Sequence, residues 1–466
     1  MKFCDMPYER IDVKAATEAL DAAAERLSAA KTIEEAEEAF SEREKIISHV
    51  QTMSTIAYIR HTVNTLDEFY EKENDFNDEN APLIEQSEQK FTEAMLGSPL
   101  RAQLEEKYGK LMFVNAELSR RCFSPEIIPD LQEENKLSSE YQKLIAAAQI
   151  DFNGEKLSLS QLGAYKENAE RDVRRAAYEA ESGFYMAHAD ELDRIFDSLV
   201  KCRTRIAKKL GFNTFTELAY CRQTRNCYDA KDVSAFRSRI VRDIVPVVCR
   251  LKDMQKKRIG IDDMKIYDDP FAFKEGNPKP DGSFEDILTA GKKMYEQMSP
   301  ETGEFINFMY DNALMDVLSA KGKAAGGYCT EILEYKSPFI FSNFNGTSGD
   351  VDVLTHEAGH AFAYYSVRDK MELCDQISPT MESFEFHSMS MEFFAWPWAE
   401  GFFGEDTRKF WYSHLAGALT FIPYGTMVDH FQHIVYEKPD MTPRQRHDVW
   451  KELLGVYMPW MKLGRE

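Results

Sequence analysis

The chain has 466 residues, and its 57 Lys and Arg against 79 Asp and Glu give a formal net charge of −22. That balance argues against a phosphate-binding surface and so against a nucleic-acid partner; 43% hydrophobic and 12% aromatic residues exclude a disordered chain. No apolar run approaches the ~18 residues of a membrane span, the stretch Met1 to Pro7 lacks a signal-peptide core, and the eight cysteines form no CxxC pair, so the expectation is a reduced, cytoplasmic protein.

Taken in order, the first part reads as helices. Val13 to Ala30 is rich in Ala, Leu and Glu, and Thr32 to Thr62 sets Ile33, Phe40, Ile46, Ile47 and Val50 at helical spacing. A third helical pattern runs from Leu66 to Leu96 and is broken by Gly97-Ser98-Pro99. Asn153-Gly154, inside Ile150 to Leu159, predicts a β-hairpin. Ser160 is then expected to cap a helix, with helical sequence continuing to Leu210. Asp229 to Arg258 is helical again. Gly260 to Phe284 is loop-like, but Ile266, Tyr267, Phe271 and Phe273 should pack it against the second half of the chain. A helix pair is predicted from Phe284 to Lys321.

Tyr328 to Ile332 and Pro338 to Phe344 alternate as strands, with a turn at Tyr335-Lys336. Such a small sheet can bind an extended peptide along its edge, or it can simply brace the helix that follows. The bare sequence leaves both readings open.

That next helix carries His356-Glu357-Ala358-Gly359-His360. Histidines at i and i+4 share one helical face, so both imidazoles can reach one metal ion, and the intervening Glu can take a proton from a bound water. The alternative is a chance match on a buried helix. Thr347, Ser348 and Asp350 offer N-cap oxygens, and Gly346 and Gly349 allow a tight turn into the helix. Gly359 costs about 1 kcal/mol against Ala in a helix, which implies either the close approach of another backbone or a substrate, or loose packing there.

A catalytic zinc site needs a third protein ligand. The run Ser378 to Glu385 reads as a helix start with Thr380 as N-cap, and Glu382, Glu385 and Glu392 share one face among Phe384, Met389, Met391 and Phe393. Carboxylates on so apolar a helix call for a partner or a metal. Glu385 is the predicted ligand, with Glu382 and Glu392 the reserve candidates for a base, and His387 points to nearly the opposite face. Phe393, Phe394, Trp396, Trp398, Phe402 and Phe403 read as core, and Pro397 should bend or end the helix. His430 and His433 form a further i, i+3 pair, read as structural more readily than as a second metal site. Asp352, Glu392 and His433 are candidates for supporting the ligands from behind.

These motifs resemble the oligoendopeptidase F branch of the thimet-oligopeptidase-like zinc metallopeptidases. The likeness rests on His356-Glu357-x-x-His360, on Glu385 within Glu-Phe-His-Ser-Met-Ser-Met-Glu-Phe-Phe, and on Pro338 to Thr347. Gly326-Gly327-Tyr328-Cys329-Thr330, Pro423-Tyr424-Gly425 and Val428 to His433 extend it, and it is strongest from Met298 to Met441. It implies a mainly α, bowl-like, two-lobed metallopeptidase, with lobes at 1–195 and 196–466 and a small sheet beside the zinc helix. It also implies one Zn²⁺ per chain on His356, His360 and Glu385, with Glu357 activating the zinc-bound water. Short unfolded peptides would be the substrates, met by Gly326, Gly327, Tyr328, Cys329 and Tyr424.

Relatives of this type continue past the helix ending near Tyr457 with a His and several Tyr that bind the scissile carbonyl, whereas this sequence stops at Met461 to Glu466. The terminal helix with Trp450, Leu453, Leu454 and Tyr457 is therefore expected to lack a packing partner. An alternative function follows: a zinc-holding fragment that binds peptides but turns them over slowly. His430 stands where relatives usually show an acidic residue. A helical interaction protein without enzymatic activity is the remaining alternative.

Overall fold

A computed structural model describes residues 1–377 and 380–462. Ser378-Pro379, which opened the predicted Glu385 helix, and residues 463–466 lie outside the described residues. The fold is mainly helical, with a two-stranded hairpin and one three-stranded sheet among the described residues.

The three predicted N-terminal helices form at Val13–Ala29, Ile33–Val63 and Glu68–Gly97. Their starts are set by side-chain caps: Asp12 accepts from the Ala15 N–H, Thr32 forms a capping box with Glu35, and Asp67 accepts from the Phe69 and Tyr70 N–H groups. Leu27, Phe40, Phe91, Leu104 and Phe113 are buried between these helices and the ones that follow. Each such side chain removed from water contributes about 1.5–3 kcal/mol.

The hairpin pairs β1 (Ile150–Phe152) with β2 (Glu155–Leu157) through Asn153 and Gly154, both at positive φ as an Asn-Gly turn of this length requires. The next helix is capped by Ser158, not Ser160: the Ser158 hydroxyl accepts from the Gln161 N–H and the Gln161 side chain returns to the Ser158 N–H. Ser160 instead donates to the carbonyl of Asn343, tying the hairpin region to the central sheet. The Gly260 to Phe284 segment packs against both halves of the chain and not the second half alone: Tyr267 and Phe271 lie under Arg171 and Arg174, while Phe273 meets Tyr412. Asp268 is fully buried under Arg171 and Arg174, and Gln255 donates to the carbonyls of Asp269 and Phe271.

The helix pair proves shorter than predicted. Helices Phe284–Met298 and Pro300–Asp311 are capped by Ser283 and Ser299, and the chain then turns through Ala313 at φ 49° into β3 (Met315–Leu318). This strand is too short to show alternation and buries only Val317, so its sequence reads as a helix tail. The sheet order is β3-β5-β4, with β4 at Tyr328–Ile332 and β5 at Ser337–Phe344. β5 lies in the middle, parallel to β3 and antiparallel to β4, and Phe339, Ile340, Phe341 and Phe344 are buried at 1–2% exposure.

The motif helix, Gly349–Val367, lays Val351, Leu354, Ala358 and Ala361 into the same core. Gly346, at φ 86°, turns the chain into it, while Gly349 is already helical. Ser348 occupies the N-cap position without a side-chain cap bond. Two residues on, the Asp350 carboxylate reaches back and accepts from the Asn345 and Gly346 N–H groups at 2.9 and 2.8 Å, fastening the entering loop to the first turn.

The helix Met381–Phe394, capped by Thr380, crosses the motif helix at Gly359. A Cβ on Gly359 would lie 2.6 Å from the His387 carbonyl oxygen and 2.6 Å from Ser388 Cα. Close approach of two backbones is thus the reason for that glycine. The helix gives way at Ala395 to a short 3₁₀ turn over Trp396–Trp398, consistent with Pro397. Phe402 and Phe403 are core, whereas Phe394 is 63% exposed and departs from the core reading.

A helix over Thr407–Glu437 follows, then Pro443–Tyr457. Contrary to expectation, this terminal helix is packed: Leu453 and Tyr457 are buried with Met427, and Tyr457 pairs with His430. No described helix is long and apolar enough to cross a membrane.

Gly359→Ala should therefore destabilise the protein. Overpacking at a backbone contact costs about 1–3 kcal/mol, against a helix-propensity gain of about 1 kcal/mol. A lower urea midpoint with unchanged slope is expected; an equal or higher midpoint would mean that the crossing is looser than the structure describes.

Candidate metal centre

The crossing delivers three potential ligands to one point. One ligand atom each from His356, His360 and Glu385 lies within 4.8 Å of the others. His356 Nε2 stands 3.3 Å from Glu385 Oε2, and the two imidazole rings are nearly perpendicular, with centroids 5.0 Å apart. The His356 side chain is 28% exposed and that of Glu385 49%, so the group is walled by the helices on one side and open on the other. Ser388, one turn after Glu385, donates to Glu385 Oε2 at 3.0 Å.

Behind His356 the carboxylate of Glu392 takes both of its hydrogen bonds from imidazoles. Oε1 lies 2.6 Å from His356 Nδ1 and Oε2 lies 2.6 Å from His414 Nε2. Burial would raise the Glu392 pKa, but these two bonds hold it below the usual range. With the Nδ1 proton of His356 given to Glu392, the Nε2 lone pair faces the Glu385 oxygen. Two acceptors 3.3 Å apart require a cation between them, a proton in the metal-free protein or a metal ion. The donor set of two imidazoles and one carboxylate suits zinc.

Glu357 sits beside this group, 7% exposed, and its Oε2 has no hydrogen-bond partner. Burial pushes its pKa up to about 7, with His356 opposing and Glu385 adding to the rise. Gly327, just before β4, lies close to this carboxyl: a Cβ there would be in ordinary contact with Glu357 Oε1 at 3.5 Å and more tightly placed against the Phe341 carbonyl oxygen at 3.3 Å. Asp352 lies further back, 4.0 Å from His414 Nε2, with Oδ1 unpartnered and its pKa raised to about 7 by burial.

The remaining predicted residues fall elsewhere. Glu382, one turn before Glu385, is taken by Arg225 at 2.7 Å and by the Tyr228 hydroxyl, so it does not face the group as a spare base. His433 bonds Tyr220 and the Asp429 carbonyl and faces Arg237, with no contact to the ligands, which corrects its reading as a supporting residue. His430 pairs with Tyr457. The Tyr328 hydroxyl is engaged by Thr62 at 2.7 Å and its ring stacks on Phe341, making it part of the scaffold. Cys329 is next to it, its thiol pKa raised by burial. Gly326 turns the chain at φ 91°, and Tyr424 is exposed beside Phe421, with no bond to the ligand group. His387 is exposed.

Sequence reasoning missed His414 and its partner Trp396. The signal was present only as a question: every histidine in a helix with apolar neighbours needs a polar partner, and none was sought for His414. A cavity of about 1050 Å³ opens beside the helix crossing, lined in part by Gly359, Phe362, Phe384, Phe386 and Phe394 and by none of His356, Glu357, His360 and Glu385; the Phe384 ring on its wall meets the His360 ring edge-on.

Comparison with known proteins agrees with this architecture. Residues 3–123 match the peptidase M3 N-terminal domain and residues 164–465 match peptidase family M3. A solved structure of PZ peptidase A with an inhibitor superposes with a TM-score of 0.98 at 48% identity, covering 99% of this chain and 82% of that one. The chromosomal oligoendopeptidase F of Lactococcus lactis subsp. cremoris is 26% identical over 226 residues, 45% of this chain and 34% of that protein. An oligoendopeptidase F homolog of Lactococcus lactis subsp. lactis (strain IL1403) is 23% identical over 42% of this chain and 31% of its own length. The matched part thus spans about a third of each of these two relatives.

Proposed function

The chain belongs to peptidase family M3, and from that premise we propose that it is a zinc-dependent endopeptidase acting on short, unfolded oligopeptides. The observation that carries the proposal is the convergence of His356, His360 and Glu385 within 4.8 Å, next to a buried Glu357 that has a free oxygen. The two imidazoles and Glu385 would hold the ion. When bound there, zinc supplies Lewis acidity that polarises a peptide carbonyl and makes a water more acidic.

Glu357 is the general base in this reading. Its carboxyl, buried beside the ligand set, is placed to take a proton from water and return it to the leaving amine. Lack of a competing donor at Oε2 keeps that atom available. The outer edge of β4 is unpaired among the described residues, since β5 occupies its other side. An extended peptide can add there through its backbone, led in by Gly326 and Gly327, with affinity that depends little on its side chains. Tyr328 and Cys329 then contribute main-chain groups, not side chains. The adjoining cavity has room for the flanking residues of an oligopeptide. The cysteines are all free thiols, which fits a reducing, cytoplasmic setting.

Digestion of a peptide mixture, followed by mass spectrometry with and without a chelator, tests the assignment: internal cleavage that stops on chelation and returns with zinc is expected. Glu357→Gln should retain one zinc per chain while losing about 10²–10⁴-fold in turnover; undiminished turnover would place the base elsewhere. Glu385→Ala should release zinc under mild chelation that leaves the parent protein loaded. Full occupancy in that variant would remove Glu385 from the ligand set.

A further inference from the structure

Behind His356 the hydrogen bonds continue beyond Glu392 in a chain whose direction can be read. The indole N–H of Trp396 lies 3.0 Å from His414 Nδ1, and His414 Nε2 lies 2.6 Å from Glu392 Oε2. An indole N–H can only donate. His414 Nδ1 must therefore accept, which places the ring's one proton on Nε2, directed at Glu392. Glu392, receiving that proton on one oxygen, offers the other to the Nδ1–H of His356. His356 then turns Nε2, the nitrogen that would ligate a metal, toward Glu385.

We propose that Trp396 and His414 are positioning residues that fix the tautomer of His356, and so its capacity to ligate the metal, through Glu392. The inference rests on the reading of His356, His360 and Glu385 as a metal site. It concerns residues that touch neither metal nor substrate.

Three features support it. First, His414 is 8% exposed and held between Phe393 and Phe410, with ring centroids at 4.8 and 5.6 Å, so the ring is not free to turn. Second, the Trp396 carbonyl accepts from the Trp411 N–H at 3.2 Å, which pins the residue that starts the chain. Third, His360 has no such support: its Nδ1 is buried without a hydrogen-bond partner. The protein therefore specifies one ligand histidine from behind and leaves the other unspecified.

The groups around His414 pull in different directions. Burial lowers its pKa while Glu392 and the nearby Asp352 raise it, with a net rise. A doubly protonated ring, however, would set an N–H against the indole N–H. The donor geometry decides for the neutral ring.

Substitutions separate this role from packing. His414→Gln keeps the pattern, because an amide oxygen can accept from Trp396 and an amide N–H can donate to Glu392. His414→Leu fills similar space and offers neither. Trp396→Phe keeps a ring and removes the first donor. Zinc affinity, measured by competition with a chromophoric chelator, should fall about 10–100-fold in His414→Leu and in Trp396→Phe, and stay within a few fold of the parent in His414→Gln.

Ring-nitrogen NMR of the metal-free protein supplies a readout that needs neither zinc nor activity. His414 should carry its proton on Nε2 in the parent and lose that single form in Trp396→Phe. Parent-like affinity in His414→Leu would overturn the inference, as would equal losses in His414→Gln and His414→Leu, or a proton found on Nδ1 in the parent. If the parent bound no zinc, the metal-site reading would fail, and the NMR result would still decide whether the hydrogen-bond chain exists.

Discussion

The contact between Gly359 and the backbone at His387-Ser388 is the constraint on which the site depends. No side chain separates the two helices there, so the motif helix and the helix bearing Glu385 are held at a spacing that a single methyl group would disturb. Residues one turn to either side inherit their positions from that contact. Glu385 meets His356 at 3.3 Å, and Glu392, two turns further along, meets the other nitrogen of the same ring at 2.6 Å. One carboxylate helix thus addresses both faces of one imidazole, and it can do so only because the helices touch.

Carboxylates crowd this region, and what each one does depends on the donors it meets. Asp350 accepts two backbone N–H groups yet is raised to about 6, because burial outweighs them. Glu392 accepts from two imidazoles and stays below the ordinary range. Glu357 and Asp352, each with an unpartnered oxygen, rise to about 7. Burial raises all four: it outweighs two backbone donors at Asp350 and is overcome at Glu392, where both partners are imidazoles that add hydrogen bonds and attraction. Glu357 combines burial with an oxygen that no donor reaches, a combination set by its place on the motif helix.

Much of this was legible in the sequence, for reasons that can be stated. The His356, Glu357 and His360 spacing is a property of one helix, and Glu385 stands out because a charge on so apolar a helix has to be accounted for. Helix starts at Thr32, Asp67, Ser283 and Thr380 follow from local chemistry, since a hydroxyl or carboxylate reaches only two or three residues ahead. What was illegible is tertiary. β3 is four residues that acquire strand character by pairing with β5. His433 and His414 look alike in sequence, both in the helix Thr407–Glu437, yet one faces Tyr220 and the other Glu392. Glu382 and Glu385 differ in surroundings by Arg225 and Tyr228, which come from a loop more than 150 residues earlier in the chain. Gly359 lies between the two cases: its cost in a helix left close approach and loose packing both open, and only the fold could choose the first and name His387 and Ser388.

The unequal treatment of the two histidines has a consequence for how the site tolerates motion. His356 is tied through Glu392 into a buried aromatic cluster of Trp396, His414, Phe393 and Phe410, so its ring is fixed by elements with little freedom. His360 meets the edges of Phe384 and His356, and Glu385, half exposed, is steadied by a hydroxyl from Ser388. Of the three side chains, His356 is the one held most firmly by the surrounding fold, so any adjustment within the group falls to His360 and Glu385. That ordering lets the group change shape without loosening the helix crossing that builds it.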